Sequence, residues 1–298
     1  MKKVLKYVLL ILFLGLEILF LSQTEAKSTT PKRINTMEEL KEALNGKATI
    51  SGNTLMLNEN VTIADEMIIN INTQEIVIDF NGKELTSGMI TLQSKATLKD
   101  TLGGGGMHFK TMYAGIVVEK DAELIIDNGK FEDSGVYNMF IIKGKLVIND
   151  GNFISTDNNP DEVSRIMLSL YRESETIING GNFVDTDNII NSNIGNYKLT
   201  INGGNFKGTG DFAAIELCAT YPYLIAEGVE SSVLPTVIFN DCNVEGKRAA
   251  VFIICGTSDE KLTNINDKAI IFNGGTYKCT GRWVCSWDSY KFIWIWIF

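Results

Sequence analysis

One short motif recurs along most of this chain and limits its fold more than any other feature. It reads "IIDNGKF" at 125–131, "VINDGNF" at 147–153, "IINGGNF" at 177–183 and "TINGGNF" at 200–206. "IFNDCNV" at 238–244 and "IFNGGTY" at 271–277 continue it, and "VIDFNGKEL" at 77–85 and "TLKDTLGGGG" at 97–106 are weaker relatives. Two β-branched or aromatic residues lead into Asn or Asp, then a turn pair, one variable position and a large apolar residue. The Asn/Asp position is held by Asp79, Asp100, Asp127, Asn149, Asn179, Asn202, Asn240 and Asn273. Successive spacings are 21, 27, 22, 30, 23, 38 and 33 residues. A fixed short core at a variable period marks a solenoid whose coils carry insertions.

Local chemistry selects the kind of solenoid. Runs such as "KLVIN", "YKLTI" and "VYNMFII" suit pleated strands, and Asn-Gly, Gly-Gly and Asp-Gly punctuate them as turns. Helical periodicity is absent after residue 46. A unit of about 22 residues holds three strands of four or five residues with three turns. Stacked, such units build three parallel sheets around an apolar interior. A leucine-rich repeat would show regular Leu spacing, and a propeller would show tight antiparallel hairpins. The expected fold is therefore all-β: a right-handed parallel β-helix, or three-sheet solenoid, over residues 47–281.

"VIDFNGKELT", "ATLKDTLGGGGM" and the recurrent "LTINGGNF" resemble the pectate-lyase-like right-handed parallel β-helix superfamily. Within it, the nearest likeness is to repeat-containing, adhesin-like bacterial surface proteins. The resemblance spans about residues 48–281 and implies the fold. It implies no single activity, because that scaffold carries lyases, hydrolases, adhesins and phage tailspikes.

The ends of the chain differ from its middle. Residues 1–26 pair a basic "MKK" with the apolar "VLLILFLGLEILFL" and small residues ending at Ala26, which reads as a signal peptide. Glu17 inside that run, and its near-membrane length, leave an uncleaved anchor as the alternative. Export is expected, to the cell surface or the medium, with membrane contact only through this segment. Residues 27–46 read as a linker and a capping α-helix. Thr36 with Glu39 forms a capping box, and Met37, Leu40 and Leu44 share one helical face. Such a helix covers the open end of the first coil. Residues 282–298 hold all four tryptophans and end in "KFIWIWIF". A last buried strand, an interaction edge and the stump of a longer protein all fit that run.

Charge narrows the partners. The net charge is −9 and no basic cluster occurs, so nucleic acid is an unsuitable partner. Carbohydrate or a cell-surface protein remains. Five cysteines (Cys218, Cys242, Cys255, Cys279 and Cys285) and one histidine, His108, offer no zinc spacing. Cys218 and Cys255, in similar apolar contexts, read as equivalent core positions stacked on one another, with a disulfide as the alternative.

The motif positions read as scaffold. Asp127, Asn149, Asn179, Asn202, Asn240 and Asn273 suit a side-chain ladder at a turn. The competing reading gathers calcium at Asp79, Asp100 and Asp127. Phe131, Phe153, Phe183, Phe206 and Tyr277 suit a core stack. Candidate ligand contacts fall in the interruptions: Asp185 and Asp187 in "VDTDN", the acidic "DNNPDEVSR" at 157–165, and Tyr171, Tyr221 and Tyr223 in the insertions 157–173 and 219–235. Polysaccharide cleavage needs converging carboxylates with basic help. The N-x-D, paired-Asp, G-H-G and R-x-K segments that the resemblance would bring to a hydrolase do not assemble here. Arg165, Arg172 and Arg248 are the weak basic candidates. The expected function is a non-catalytic, adhesin-like binding or scaffold module. A polysaccharide lyase or hydrolase, or a spacer within a longer surface protein, is the alternative.

Overall fold

In the five repeats from Asp127 to Asn240 the residue before the Asn/Asp position turns inward. Ile126, Ile148, Ile178, Ile201 and Phe239 are all fully buried. They close the strands Glu123–Ile126, Lys145–Ile148, Glu175–Ile178, Lys198–Ile201 and Thr236–Phe239, along which buried residues alternate with more exposed ones. That period of two is what a strand with one face in a core requires. The computed structural model describes residues 30–111, 113–133, 135–155, 165–192, 196–220, 235–256, 270–281 and 292–297, with the backbone alone for 218–220, 254–256 and 292–297.

Three sheets follow from the stacking. The first has ten strands from Lys32–Ile34 to Phe292–Ile297. The second has ten, from Ala48–Ser51 to Ile270–Phe272, and the third nine, from Val61–Ile63 to Thr276–Cys279. A typical coil runs through Lys145–Ile148, Asn152–Ser155 and Ile166–Leu170, visiting the second, third and first sheets in turn. Pairing is parallel throughout, except for the opening hairpin Ala48–Ser51 with Thr54–Leu57 and the final pair Ala249–Gly256 with Phe292–Ile297. The chain is a parallel β-helix. The C-terminal apolar run is thus an antiparallel strand on the first sheet.

The core is an aromatic column. Phe131, Phe153, Phe183 and Phe206 stack face to face, with centroids 5.0, 4.6 and 4.6 Å apart. Val244 takes the next place, so Tyr277 does not extend this stack. Tyr277 instead meets Phe239 and Phe272 edge-on, and those two rings stack on each other at 4.6 Å. Beside the column, Gly181 has φ 109°, and a Cβ there would lie 3.1 Å from the Gly151 carbonyl. Only glycine combines that conformation with that approach.

The amide ladder runs unbroken through six coils. Each Nδ2 donates to the Oδ1 one coil earlier, from Asn273 through Asn240, Asn202, Asn179 and Asn149 to Asp127, at 2.7–2.8 Å. Asp100 does not belong to this column. Lys99 occupies the equivalent register, opposite Asp79, with Nζ 3.7 Å from its carboxylate. Asp100, one residue on, accepts from the Gly82 and Gly105 N–H groups at 2.6 Å each. The four glycines after it need that anchor, so its carboxylate serves the turn. Asp79 similarly accepts from Asn81 and Thr101. Burial would raise its pKa, but those bonds and Lys99 hold it below the ordinary carboxylate value. The three acids proposed for calcium thus do not line up. Among the described residues no three His, Cys, Asp or Glu side chains form a metal-sized group.

The ladder has a direction, which yields a prediction. Asn179 donates to Asn149 and accepts from Asn202, whereas Asp127 at the end only accepts. Asn179→Asp removes a donor and sets a charge against a carbonyl, so urea unfolding should report a loss of about 1–3 kcal/mol. Asp127→Asn should be nearly neutral. Equal losses at both positions would contradict a directed ladder.

At the N-terminal end, Lys32–Ile34 pairs with Met67–Ile69, so Arg33 belongs to the first sheet rather than to a linker. The helix Met37–Ala43 buries Met37, Leu40 and Ala43 in the solenoid core. Glu39 N–H donates to Thr36 Oγ1 at 3.1 Å, and Glu39 Oε2 accepts from the Asn35 N–H at 2.7 Å. The return bond of the box reaches one residue beyond the cap. Cys218 and Cys255 are not equivalent. In the backbone register Cys218 pairs with Ile254 and Cys255 with Thr220, the register shifting between Cys218 and Thr220. Cys242 and Cys279 are free thiols. Residues 1–26, which the sequence reads as a signal peptide, and Cys285 lie outside the described residues.

Candidate functional site

The first sheet is unlike the other two because three of its successive strands are buried on both faces. Ala114–Val118 is buried at every position, and Asn138–Ile142 and Ile166–Leu170 at four of five. Ile116, Phe140 and Leu168 belong to the main core. Ala114, Val117 and Ile141 form a separate cluster on the opposite face, with Met89 and Tyr171 packed against it. Successive coils continue the outward column in register as Val117, Ile141, Ser169, Asn191, Glu216 and Phe252. It is apolar at Val117 and Ile141, polar through Ser169, Asn191 and Glu216, and apolar again at Phe252.

Glu216 is the chemical centre of that column. Asn191 Nδ2 lies 3.4 Å from its Oε1. Burial pushes the Glu216 carboxyl above its ordinary value, opposed by bonds from Asn188 and Asn191 and by the Arg248 charge. Asn188 is itself fixed by donating to the Ala213 carbonyl at 2.8 Å. A half-buried acid among amides on an outward sheet face can accept hydrogen bonds from a hydroxyl-rich ligand.

Of the sequence candidates, Tyr171 is placed on this face. Burial raises its hydroxyl pKa, nearby Tyr113 adds to the rise and Lys143 opposes it. Tyr113 is 58% exposed, so its ring is open to solvent beside the packed Tyr171. Tyr221 and Tyr223 lie outside the described residues, as do residues 157–164 of the acidic insertion. Asp185 and Asp187 sit at the corner where the third sheet hands over to the first. Asp185 is buried and accepts from the Asp187 N–H at 2.9 Å, while Asp187 Oδ2 accepts from the Arg165 N–H at 2.9 Å. Asp133 repeats the arrangement two coils earlier, accepting from the Gly135 N–H and the Ser155 hydroxyl. These carboxylates hold turns, and Asp185 faces no solvent.

Two sets of residues escaped the sequence reading. Glu216 and Asn191 are one; the alternation in "AAIELCAT" carries the signal, since Glu216 lies between the inward Ile215 and Leu217. The other is a second amide ladder. Asn243, Asn205, Asn182 and Asn152 bond in sequence at 2.9–3.1 Å, at the position that the motif treats as variable.

No family model, no curated protein and no solved structure matches this chain.

Proposed function

We propose that this chain is an exported, adhesin-like binding or scaffold module of the pectate-lyase-like β-helix type. It would present the outer face of its first sheet to a carbohydrate or a cell-surface protein. One observation carries this reading: the longest sequence intervals between successive described strands all adjoin that one sheet. Residues 156–165 precede Ile166–Leu170, 221–235 follow Ala213–Thr220, 257–269 follow Ala249–Gly256, and 280–291 precede Phe292–Ile297. Long sequence intervals of unequal length beside one sheet of a regular scaffold are where recognition residues concentrate. Hydrolysis would call for a carboxylate pair across the bond. Among the described outward residues of this sheet Glu216 is the one carboxylate, which supports binding without cleavage.

The test is retention of the protein on a panel of immobilised neutral and acidic polysaccharides and on intact cells. Saturable retention without release of sugar ends is expected, and Tyr171→Ala should weaken it about tenfold, the value of a lost aromatic contact. The raised acid beside Arg248 favours one second reading, a lyase or hydrolase acting at Glu216. Release of reducing ends or unsaturated products, abolished by Glu216→Gln, would replace the first reading with that one.

A further inference from the structure

The second sheet has an outward face of a different kind, built from three straight columns. Its strands keep one register from Ile76–Asp79 to Ile270–Phe272 without a shift. The middle column reads Val77, Thr97, Ile125, Val147, Ile177, Thr200, Ile238 and Ile271. Every member is β-branched, and all but the buried Thr97 are half-exposed. On one side of it runs the amide ladder. On the other runs an alternating column: Glu75, Lys95, Glu123, Lys145, Glu175 and Lys198. Within it Lys95 reaches Glu75 at 3.5 Å and Glu123 at 3.3 Å, and Lys145 reaches Glu123 at 3.1 Å.

We propose that this face joins two copies of the chain, front to front and antiparallel, about a two-fold axis running along the strands. The charge order is the reason. That axis lays the apolar column on its own copy and the charge column on itself in reverse. A strictly alternating column with an even number of members is complementary to its own reversal. Glu75 then faces Lys198 of the second copy, Lys95 faces Glu175, and Glu123 faces Lys145. A slip of one coil sets like charges together, so the register is fixed by repulsion as well as attraction. The parallel alternative, with the axis along the solenoid, sets the charges against the amide ladder. It would desolvate ions without giving them opposite partners, which is costly. A neutral, extended ligand has no use for the alternation.

The size of the face sets the strength. Six coils about 4.8 Å apart and strands of four residues at about 3.3 Å give an overlap of roughly 29 by 13 Å. That is below the area of a standard stable interface, so association should be reversible and concentration-dependent. The first sheet stays free in such a pair, and two recognition faces are carried by one particle, which raises avidity for a repetitive surface.

Sedimentation velocity of the full chain over a concentration series tests this, with circular dichroism to confirm folding. The wild type should show a monomer–dimer equilibrium. Glu123→Lys and Lys145→Glu should each weaken it at least about tenfold, because each sets like charges together across the axis twice. Mixing these two variants should restore the dimer, since Glu123 of one then meets Lys145 of the other and the two substituted residues also pair. The double variant should dimerise as the wild type does. A monomer throughout the series, single variants that associate normally, or a mixture that fails to recover would each overturn the proposal.

Discussion

Replacing Phe183 with alanine should lower the stability of this protein by about 3–5 kcal/mol and split its unfolding into two steps. Phe183 is fully buried, with a ring on each side at 4.6 Å. Truncation removes the transfer free energy of the ring and both stacking contacts, each of about 0.5–1.5 kcal/mol. The neighbours cannot close the gap, because Phe153 and Phe206 are tied into their own coils by parallel pairing and by both amide ladders. In a solenoid each coil touches only the next, so a weakened junction uncouples the coils before it from those after it. Urea titration followed by circular dichroism should show a lower, broadened or biphasic transition. Phe183→Leu, which keeps most of the volume, should lose less and stay cooperative. A Phe183→Ala protein unfolding in one step at the wild-type midpoint would show that the column does not couple the coils.

The repeat made the fold legible because its spacing and its chemistry agree. Apolar pairs, Asn and Gly-containing turns recur together, and only stacking gives every one of them a partner. Register was harder to read. Lys99 and Asp100 are both polar and stand before four glycines, so composition alone does not show which joins the column. The choice is made by backbone pairing, with Phe80 N–H bonded to the Lys99 carbonyl. The second ladder was hidden because Lys130 and Thr276 stand at its ends, and the motif averaged over them looks variable. Cys218 and Cys255 look equivalent until a one-residue irregularity in the strand is counted. The candidate face was only half legible. The insertions adjoin strands of the first sheet, whereas the acidic stretch "VDTDN" reads as solvated loop although Asp185 is buried in a turn. The direction of Asp185 is set by the Asp187 N–H from which its carboxylate accepts, which a sequence does not display.

Asp185→Asn should stabilise the protein at neutral pH and make no difference in acid. Burial pushes the Asp185 carboxyl well above its ordinary value of about 3.9, and the charges of Asp133 and Asp187 add to the rise against bonds from the Asp187 and Thr186 N–H groups. Below the ordinary value the group is protonated, folded or unfolded, and its neutral form sits in the corner without penalty. Between the ordinary and the raised value the folded chain binds a proton that the unfolded chain does not. Stability therefore falls as pH rises through that window, and above it the buried charge is a standing cost. Burial raises Asp133 in the same direction. Asparagine keeps an acceptor for the Asp187 N–H and removes the charge. Thermal unfolding should show the variant above the wild type at pH 7, with the gap closing near pH 4. Asp185→Ala separates charge from turn, because it removes the acceptor too and should be less stable than Asp185→Asn at every pH. The opposite result, with Asp185→Asn weaker than wild type at pH 7 and the wild type alone stabilised by added calcium, would return Asp185 to the list of ligands. It would also make the acidic corner, rather than the Glu216 column, the first place to look for function.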